Sequence, residues 1–201
     1  LNDAGSGYLS DAVLGVEWCA NNSTAFNISV ISMSLGTDPA YESNCDGSFS
    51  SLASAINDAV GRDIFVLAAA GNSGNTTAIS SPACITNVTA VGWSDKSDSV
   101  YSSSNRNSLV KLFAPGSSIN STSINGGYEE KSGTSMSTPH IAGVVALLKQ
   151  YYNDTSLYVN SSRITQELEE TGKTIFDFTT GLTFYRIDAH DALNDTAKPR
   201  V

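Results

Sequence analysis

Ser135 stands where an alcohol could do chemistry. It lies in Ser132-Gly-Thr-Ser-Met-Ser-Thr-Pro-His-Ile-Ala-Gly-Val-Val-Ala-Leu-Leu148, with small residues before it and a nearly all-apolar helical pattern behind it. A serine in the first turn of such a helix sits where unpaired backbone N–H groups and the positive dipole end favour developing negative charge. That suits acyl transfer, in which a tetrahedral oxyanion forms beside the nucleophile. A bare Gly-Thr-Ser, by contrast, is an ordinary helix cap. A serine nucleophile also needs a base, and the chain holds two histidines, His140 and His190. His140 falls a little over one turn further along the same helix, so its side chain points along the helix body. His190 lies on a short C-terminal helix between Asp188 and Asp191, with no route to Ser135.

The elements that must hold Ser135 are legible as alternating helical and strand patterns. Ser10 can cap a helix of about residues 11–20, with Val13, Leu14, Glu17 and Trp18 on one face. The β-branched run Ile28 to Leu35 predicts a strand. Leu52, Ala55, Ile56, Ala59 and Val60 recur at helical spacing, and Ile64 to Ala70 reads as a strand buried on both faces. Further strands are predicted near residues 88–92, 109–113 and 119–123. Behind Ser135 the apolar residues surround the helix, which predicts a central, buried one, with Pro139 within its first turn or so. An amphipathic helix over 162–171 ends at Gly172, a short one covers 188–193, and residues 195–201 are expected to fray as a tail. Residues 1–194 thus read as one domain. Helix and strand in alternation imply an α/β fold around a mostly parallel sheet. Ligands bind such sheets at the carboxyl ends of the strands, which directs attention to Ser34-Leu-Gly36, to Gly71-Asn-Ser-Gly74 and to the loop before Ser135.

Composition narrows the partners. The 201 residues can bury roughly 70% of the surface exposed by the unfolded chain, so neither a metal nor a disulfide framework is needed for folding. Twenty acidic residues against eleven basic ones give a net charge of −9, which argues against nucleic acid or an anionic membrane as partner. No run approaches ~18 consecutive apolar residues. The chain opens on Leu1 inside a loop-like stretch, so the reading expects a fragment lacking an N-terminal portion. Nine Asn-X-Ser/Thr sequons favour a secreted glycoprotein. Cys45 and Cys84 lie in turn-like contexts and form the disulfide candidate. Cys19 lies on an apolar helical pattern as a buried thiol, or else pairs outside the chain.

The string Gly-Thr-Ser-Met-Ser-Thr-Pro-His-Ile-Ala-Gly resembles the active-site serine signature of subtilisin-like serine proteases, the subtilase family. The resemblance extends over residues 1–193, with Ser-Ser-Asn at 103–105, Ala-Pro-Gly at 114–116 and Gly181-Leu to Ile187-Asp-Ala also matching. It implies a three-layer α/β/α fold with N-terminal strands missing from this chain. It implies Ser135 as nucleophile and Asn72, in Ala68-Ala-Ala-Gly-Asn-Ser-Gly74, as oxyanion-hole donor. Ser34, Leu35 and Gly36 would form one wall of the primary specificity pocket, and Ala68, Ala69, Ala70 and Gly71 the other, with Thr134 also at the substrate. Gly5, Ser6 and Gly7 would lie on the edge to which an extended substrate adds as a strand. These small, uncharged walls favour apolar residues before the scissile bond.

In the family order, aspartate and histidine precede the serine by a long stretch. The expected base therefore lies upstream of Leu1, and the 201-residue chain alone is expected to be inactive. The chemistry requires no cofactor. The resemblance implies structural calcium in some full-length family members, but Lys111 stands where such members carry a ligating aspartate, and lysine cannot ligate the ion. Protein or peptide substrates, a monomer and an extracellular location complete the expectation. The alternative is a catalytically inactive scaffold or binding protein of the same fold. A lipase or esterase is excluded because Gly-X-Ser-X-Gly is absent around Ser135.

Overall fold

In a computed structural model, residues 5–124 and 126–196 are described. Six helices and ten strands follow in this order: α1 (Leu9–Asn21), α2 (Ser23–Phe26), β1 (Val30–Met33), β2 (Thr37–Tyr41), α3 (Ser50–Gly61), β3 (Phe65–Ala69), β4 (Ile79–Ser81), β5 (Thr89–Ser94), β6 (Val110–Pro115), β7 (Ile119–Thr122), β8 (Tyr128–Lys131), α4 (Thr134–Asp154), α5 (Ser161–Thr171), β9 (Lys173–Asp177), β10 (Leu182–Arg186) and α6 (Ala189–Thr196).

The main sheet has the order β1-β3-β5-β6-β10-β9. Its first five strands run parallel, and β9 turns back antiparallel on β10. Side chains alternate across it. Phe65, Leu67, Val91 and Leu112 face one core with Ile141, Val145 and Leu148 of α4. Val66, Ala68 and Ala90 face the other with α1 and α3, through Val16, Leu52 and Ile56. The result is a three-layer α/β/α arrangement, as expected from strands that read apolar on both faces.

Several elements differ from the sequence reading for identifiable reasons. Tyr8, not Ser10, is the cap of α1, because the Asp11 carboxylate accepts the Tyr8 N–H at 3.2 Å. The buried face of α1 carries Val16 and Ala20, whereas Leu14 and Trp18 are exposed. The small pair lets α1 approach α3, and Trp18 stacks instead on Phe26 at 5.5 Å. Helix α4 is buried on one side only, since Leu147 remains 49% exposed. Pro139 is the sixth residue of α4, beyond the first turn. Strands β2, β4, β8, β9 and β10 carry no simple apolar alternation and were not expected. Helix α6 runs to Thr196, past the point where fraying was expected, and residues 197–201 lie outside the described residues.

Cys45 and Cys84 are joined in a disulfide with a Cα–Cα distance of 5.4 Å, and the Cys45 N–H also donates to the Cys84 carbonyl at 3.0 Å. Cys19 is a free, half-buried thiol whose pKa is raised by burial. Among the described residues, no helix is long and apolar enough to cross a membrane.

Candidate active site

Three chain segments converge at the carboxyl ends of β1 and β3. Ser34-Leu35-Gly36 continues from β1, Ala70-Gly71-Asn72 continues from β3, and Gly133-Thr134-Ser135 opens α4. A cavity of about 260 Å³ lies between them, lined by Ser34, Leu35, Gly36, Thr37, Asp38, Ala69, Gly71, Asn72, Ser73, Ser80, Thr134 and Ser135. Ser135 thus sits in the first turn of α4 at the cavity wall.

The Asn72 amide is fixed by one neighbour of Ser135. Its Oδ1 accepts both the Thr134 N–H and the Thr134 hydroxyl, each at 2.9 Å. The same Thr134 Oγ1 accepts the Gly71 N–H at 3.3 Å, and Thr134 is fully buried. With Oδ1 so occupied, the Nδ2 of Asn72, a cavity-lining residue, has no hydrogen-bond partner among the described residues. Gly133 makes this close approach possible: its φ is +146°, and a Cβ there would come within 3.2 Å of Asn72 Nδ2. Gly71, at φ +106°, has the same character, since a Cβ would meet Ser80 Oγ at 2.6 Å.

Pro139 leaves the Ser135 carbonyl without its usual helical donor, because proline has no N–H to give to the residue four before it. The Ser34 hydroxyl supplies one instead, donating to Ser135 O at 2.8 Å. In return the Ser135 hydroxyl donates to Ser34 O at 3.3 Å. Two serines distant in sequence are thereby tied in both directions. The Ser137 hydroxyl bonds the Ala114 carbonyl at 2.9 Å and anchors the same helical turn on β6.

Asn105, 1% exposed, holds the loop that carries Asn72. Its Oδ1 accepts the N–H groups of Ser73 and Asn75, each at 3.0 Å, and its Nδ2 donates to Ala70 O at 3.2 Å. Its own N–H donates to Gly71 O at 2.9 Å. Next in sequence, buried Arg106 donates to Asp177 Oδ2 at 2.7 Å and to the carbonyls of Ser102 and Ser104. Burial pushes the Asp177 carboxyl up, but hydrogen bonds from Arg106, Thr180 and the Thr179 N–H, with the Arg106 charge, outweigh it and hold its pKa below the ordinary value.

Neither histidine is turned toward Ser135. His140 Nδ1 bonds the Met136 carbonyl at 2.8 Å, and His190 lies beside Asp191 at 3.2 Å. Of the residues expected at the substrate, Ser34, Leu35, Gly36, Ala69, Gly71 and Thr134 line the cavity. Ala68 and Ala70 do not, because strand alternation turns them into the α1/α3 core. Gly5, Ser6 and Gly7 precede α1 and are not part of this cavity. The resemblance to Ser-Ser-Asn flagged Asn105 without a role. Thr37, Asp38, Ser73 and Ser80 were not assigned to the site: Thr37 and Asp38 directly follow the Ser34–Gly36 segment, Ser73 lies within the quoted 71–74 string, and Ser80 comes from β4, which only its pairing with β2 brings to the cavity. Among the described residues, no group of three or more His, Cys, Asp or Glu side chains is placed to hold a metal. Lys111 instead borders a separate cavity with Thr86, Asn87 and Glu169.

Residues 1–182 match the sequence profile of the Subtilase family. The chain is 41% identical over 156 residues to an alkaline serine exoprotease A of Vibrio alginolyticus, covering 78% of this chain and 27% of that protein. It is 36% identical over 193 residues to a thermophilic serine proteinase of a Bacillus species, covering 96% and 43%. A cold-adapted subtilisin-like serine proteinase superposes with a TM-score of 0.78 at 36% identity, over 94% of this chain and 64% of that one. The prenylagaramide maturation protease PagA shares the fold with a TM-score of 0.73 at 22% identity, over 90% and 67%. The chain thus spans between a quarter and a half of these two sequence relatives. With the profile matched over most of its length, and with such relatives on both sequence and structure, the chain belongs to the subtilase family.

Proposed function

We propose that this chain carries the nucleophile and the oxyanion donor of a secreted, monomeric serine endopeptidase acting on protein or peptide substrates. The observation that carries the reading is the tether from Asn72 through Thr134 to Ser135 across a single cavity. Ser135 Oγ attacks the peptide carbonyl carbon as a base removes its proton. The carbonyl oxygen becomes an oxyanion that accepts hydrogen bonds from Asn72 Nδ2 and the Ser135 N–H. Collapse expels the amine, which leaves with the proton, and gives an acyl-enzyme on Ser135. Water then reverses the steps and releases the carboxylic acid. The histidine and aspartate of this scheme come from polypeptide outside residues 1–201, because His140 and His190 are engaged elsewhere. No cofactor takes part in the chemistry. The disulfide and the nine sequons support an oxidising, secretory origin.

The test is labelling by a fluorophosphonate probe together with peptide hydrolysis, in the full natural polypeptide that contains these residues. Labelling confined to Ser135 and abolished by Ser135→Ala is expected, with Asn72→Ala lowering kcat by about 10² to 10³. A fully folded polypeptide that neither labels nor cleaves would favour the non-catalytic scaffold. Residues 1–201 alone should show no appreciable turnover, since an unassisted serine hydroxyl is a weak nucleophile. Labelling of that chain at the rate of intact serine proteases overturns this last expectation.

A further inference from the structure

We propose that the cavity beside Ser135 receives a cationic side chain, with Asp38 as the carboxylate that sets specificity, so that cleavage follows lysine or arginine. The proposal rests on the hydrolase reading above and names its substrate class. The walls Ser34–Gly36 and Ala68–Gly71 carry no charge and by themselves favour apolar residues. The structure extends the first wall by two residues. Asp38 lines the same cavity as Ser135 and Asn72, and no lysine, arginine or histidine lines it with Asp38.

Three features make this carboxylate suited to a ligand cation. Among the described residues it enters no hydrogen bond and no ion pair, so its charge is not already neutralised. It sits on β2, which pairs antiparallel with β4 through Thr37 opposite Ser81, so a strand rather than a free loop presents it. Its companions Thr37, Ser73 and Ser80 are polar, while Leu35 and Ala69 offer an apolar flank to the methylene stem of a lysine or arginine. Asp38 is exposed at the edge of the cavity, so a cationic side chain entering it meets an unpaired carboxylate there, whereas an apolar one gains no partner from Asp38. The net charge of −9 adds a field of the same sign.

The experiment compares kcat/KM, in the full natural polypeptide, for four fluorogenic peptides identical except for Lys, Arg, Leu or Phe before the cleaved bond. Lys and Arg are expected to exceed Leu and Phe about tenfold at low salt, with the ratio shrinking as ionic strength rises. Asp38→Asn should lower the basic-to-apolar ratio about tenfold, and Asp38→Glu should retain it. A fluorescence titration with p-aminobenzamidine reads the same site without turnover, and Asp38→Asn should weaken that binding at least fivefold. Leu or Phe matching Lys and Arg, or an Asp38→Asn loss equal for all four peptides, overturns the proposal while leaving the hydrolase reading intact. Failure of both hydrolysis and fluorophosphonate labelling counts against the hydrolase reading itself. The benzamidine titration then decides alone, and binding that does not depend on Asp38 overturns the cation pocket.

Discussion

The two ends of the main sheet are held by different forces. Around Ser135 the contacts are neutral: Thr134 to Asn72, Ser34 to Ser135, Ser137 to Ala114, and Asn105 to the loop of residues 70–75. Around β9 and β10 they are ionic. Arg106 meets Asp177, and Asp98 accepts from Arg186 and Lys173, each at 2.7 Å. The hydrogen bond from Lys173 is the largest influence, and with the Arg186 hydrogen bond and both cationic charges it outweighs burial and holds the Asp98 pKa below its ordinary value. Neutral hydrogen bonds fix direction without adding a field of their own, which in the proposed reaction leaves the charge developing at Ser135 to Asn72 and the α4 terminus. The charged end needs only to close the sheet. Arg106 follows Asn105 directly, so the two regimes meet at one peptide bond.

The largest expected effect falls on the neutral end. Ser135→Ala should reduce kcat in the full natural polypeptide about a million-fold, the scale the general case takes from this same family, with the melting temperature nearly unchanged. On the ionic end the balance should be reversed. Arg106 and Asp177 are both buried, so Asp177→Ala leaves a guanidinium in low dielectric without its carboxylate, and should cost about 3–5 kcal/mol in denaturant unfolding. The active fraction that remains folded should keep its kcat. A large loss of kcat in folded Asp177→Ala would erase the distinction between the two ends.

Asn105→Ala tests the junction and should be intermediate. It removes the acceptor of two backbone N–H groups and the donor to Ala70 O, in a site closed to water. A loss of about 1–3 kcal/mol in stability follows from the unpaired groups. If the loop also shifts Asn72, kcat should fall about tenfold with KM little changed, and Asn105→Asp, which keeps the acceptor, should recover part of it. A change confined to stability would place Asn105 with the merely structural residues.

How far the sequence carried these conclusions depends on what each element buries. Strand β3 is covered on both faces, so Phe65 to Ala69 announce it by apolar continuity. The β9–β10 hairpin alternates Ile175 and Asp177 inward with Phe176 outward, and the inward acid hides the pattern from any hydrophobic reading. Within the site, Ser135, Asn72 and Thr134 were legible from a motif because the chemistry restricts their types. Asp38 and Ser80 were not, because pocket-lining positions are set by how β2 meets β4 and not by local spacing. The orientation of Asn72 was equally hidden, since it depends on a threonine 62 residues away in sequence.

The smallest effect expected is in the pH dependence of stability, where opposite signs separate two buried carboxyls. The Asp177 pKa is lowered on folding, so its contribution is present above the unfolded carboxyl pKa and is lost as pH falls through the folded value. Glu167, fully buried under α4 where the Tyr152 hydroxyl donates to its Oε2, moves the other way: burial raises its pKa despite that hydrogen bond. Folding therefore favours protonated Glu167, and its contribution is full below the unfolded pKa and is lost as pH rises through the folded value. Glu167→Gln keeps an acceptor for Tyr152 and removes the titration. It should raise stability at pH 7 by about 1 kcal/mol or less and leave it nearly unchanged at pH 4. Melting curves of Glu167→Gln and wild type between pH 4 and 8 should accordingly diverge upward in pH. Divergence at the acid end instead would mean that Glu167 behaves like Asp177, as a carboxylate stabilised in its ionised form.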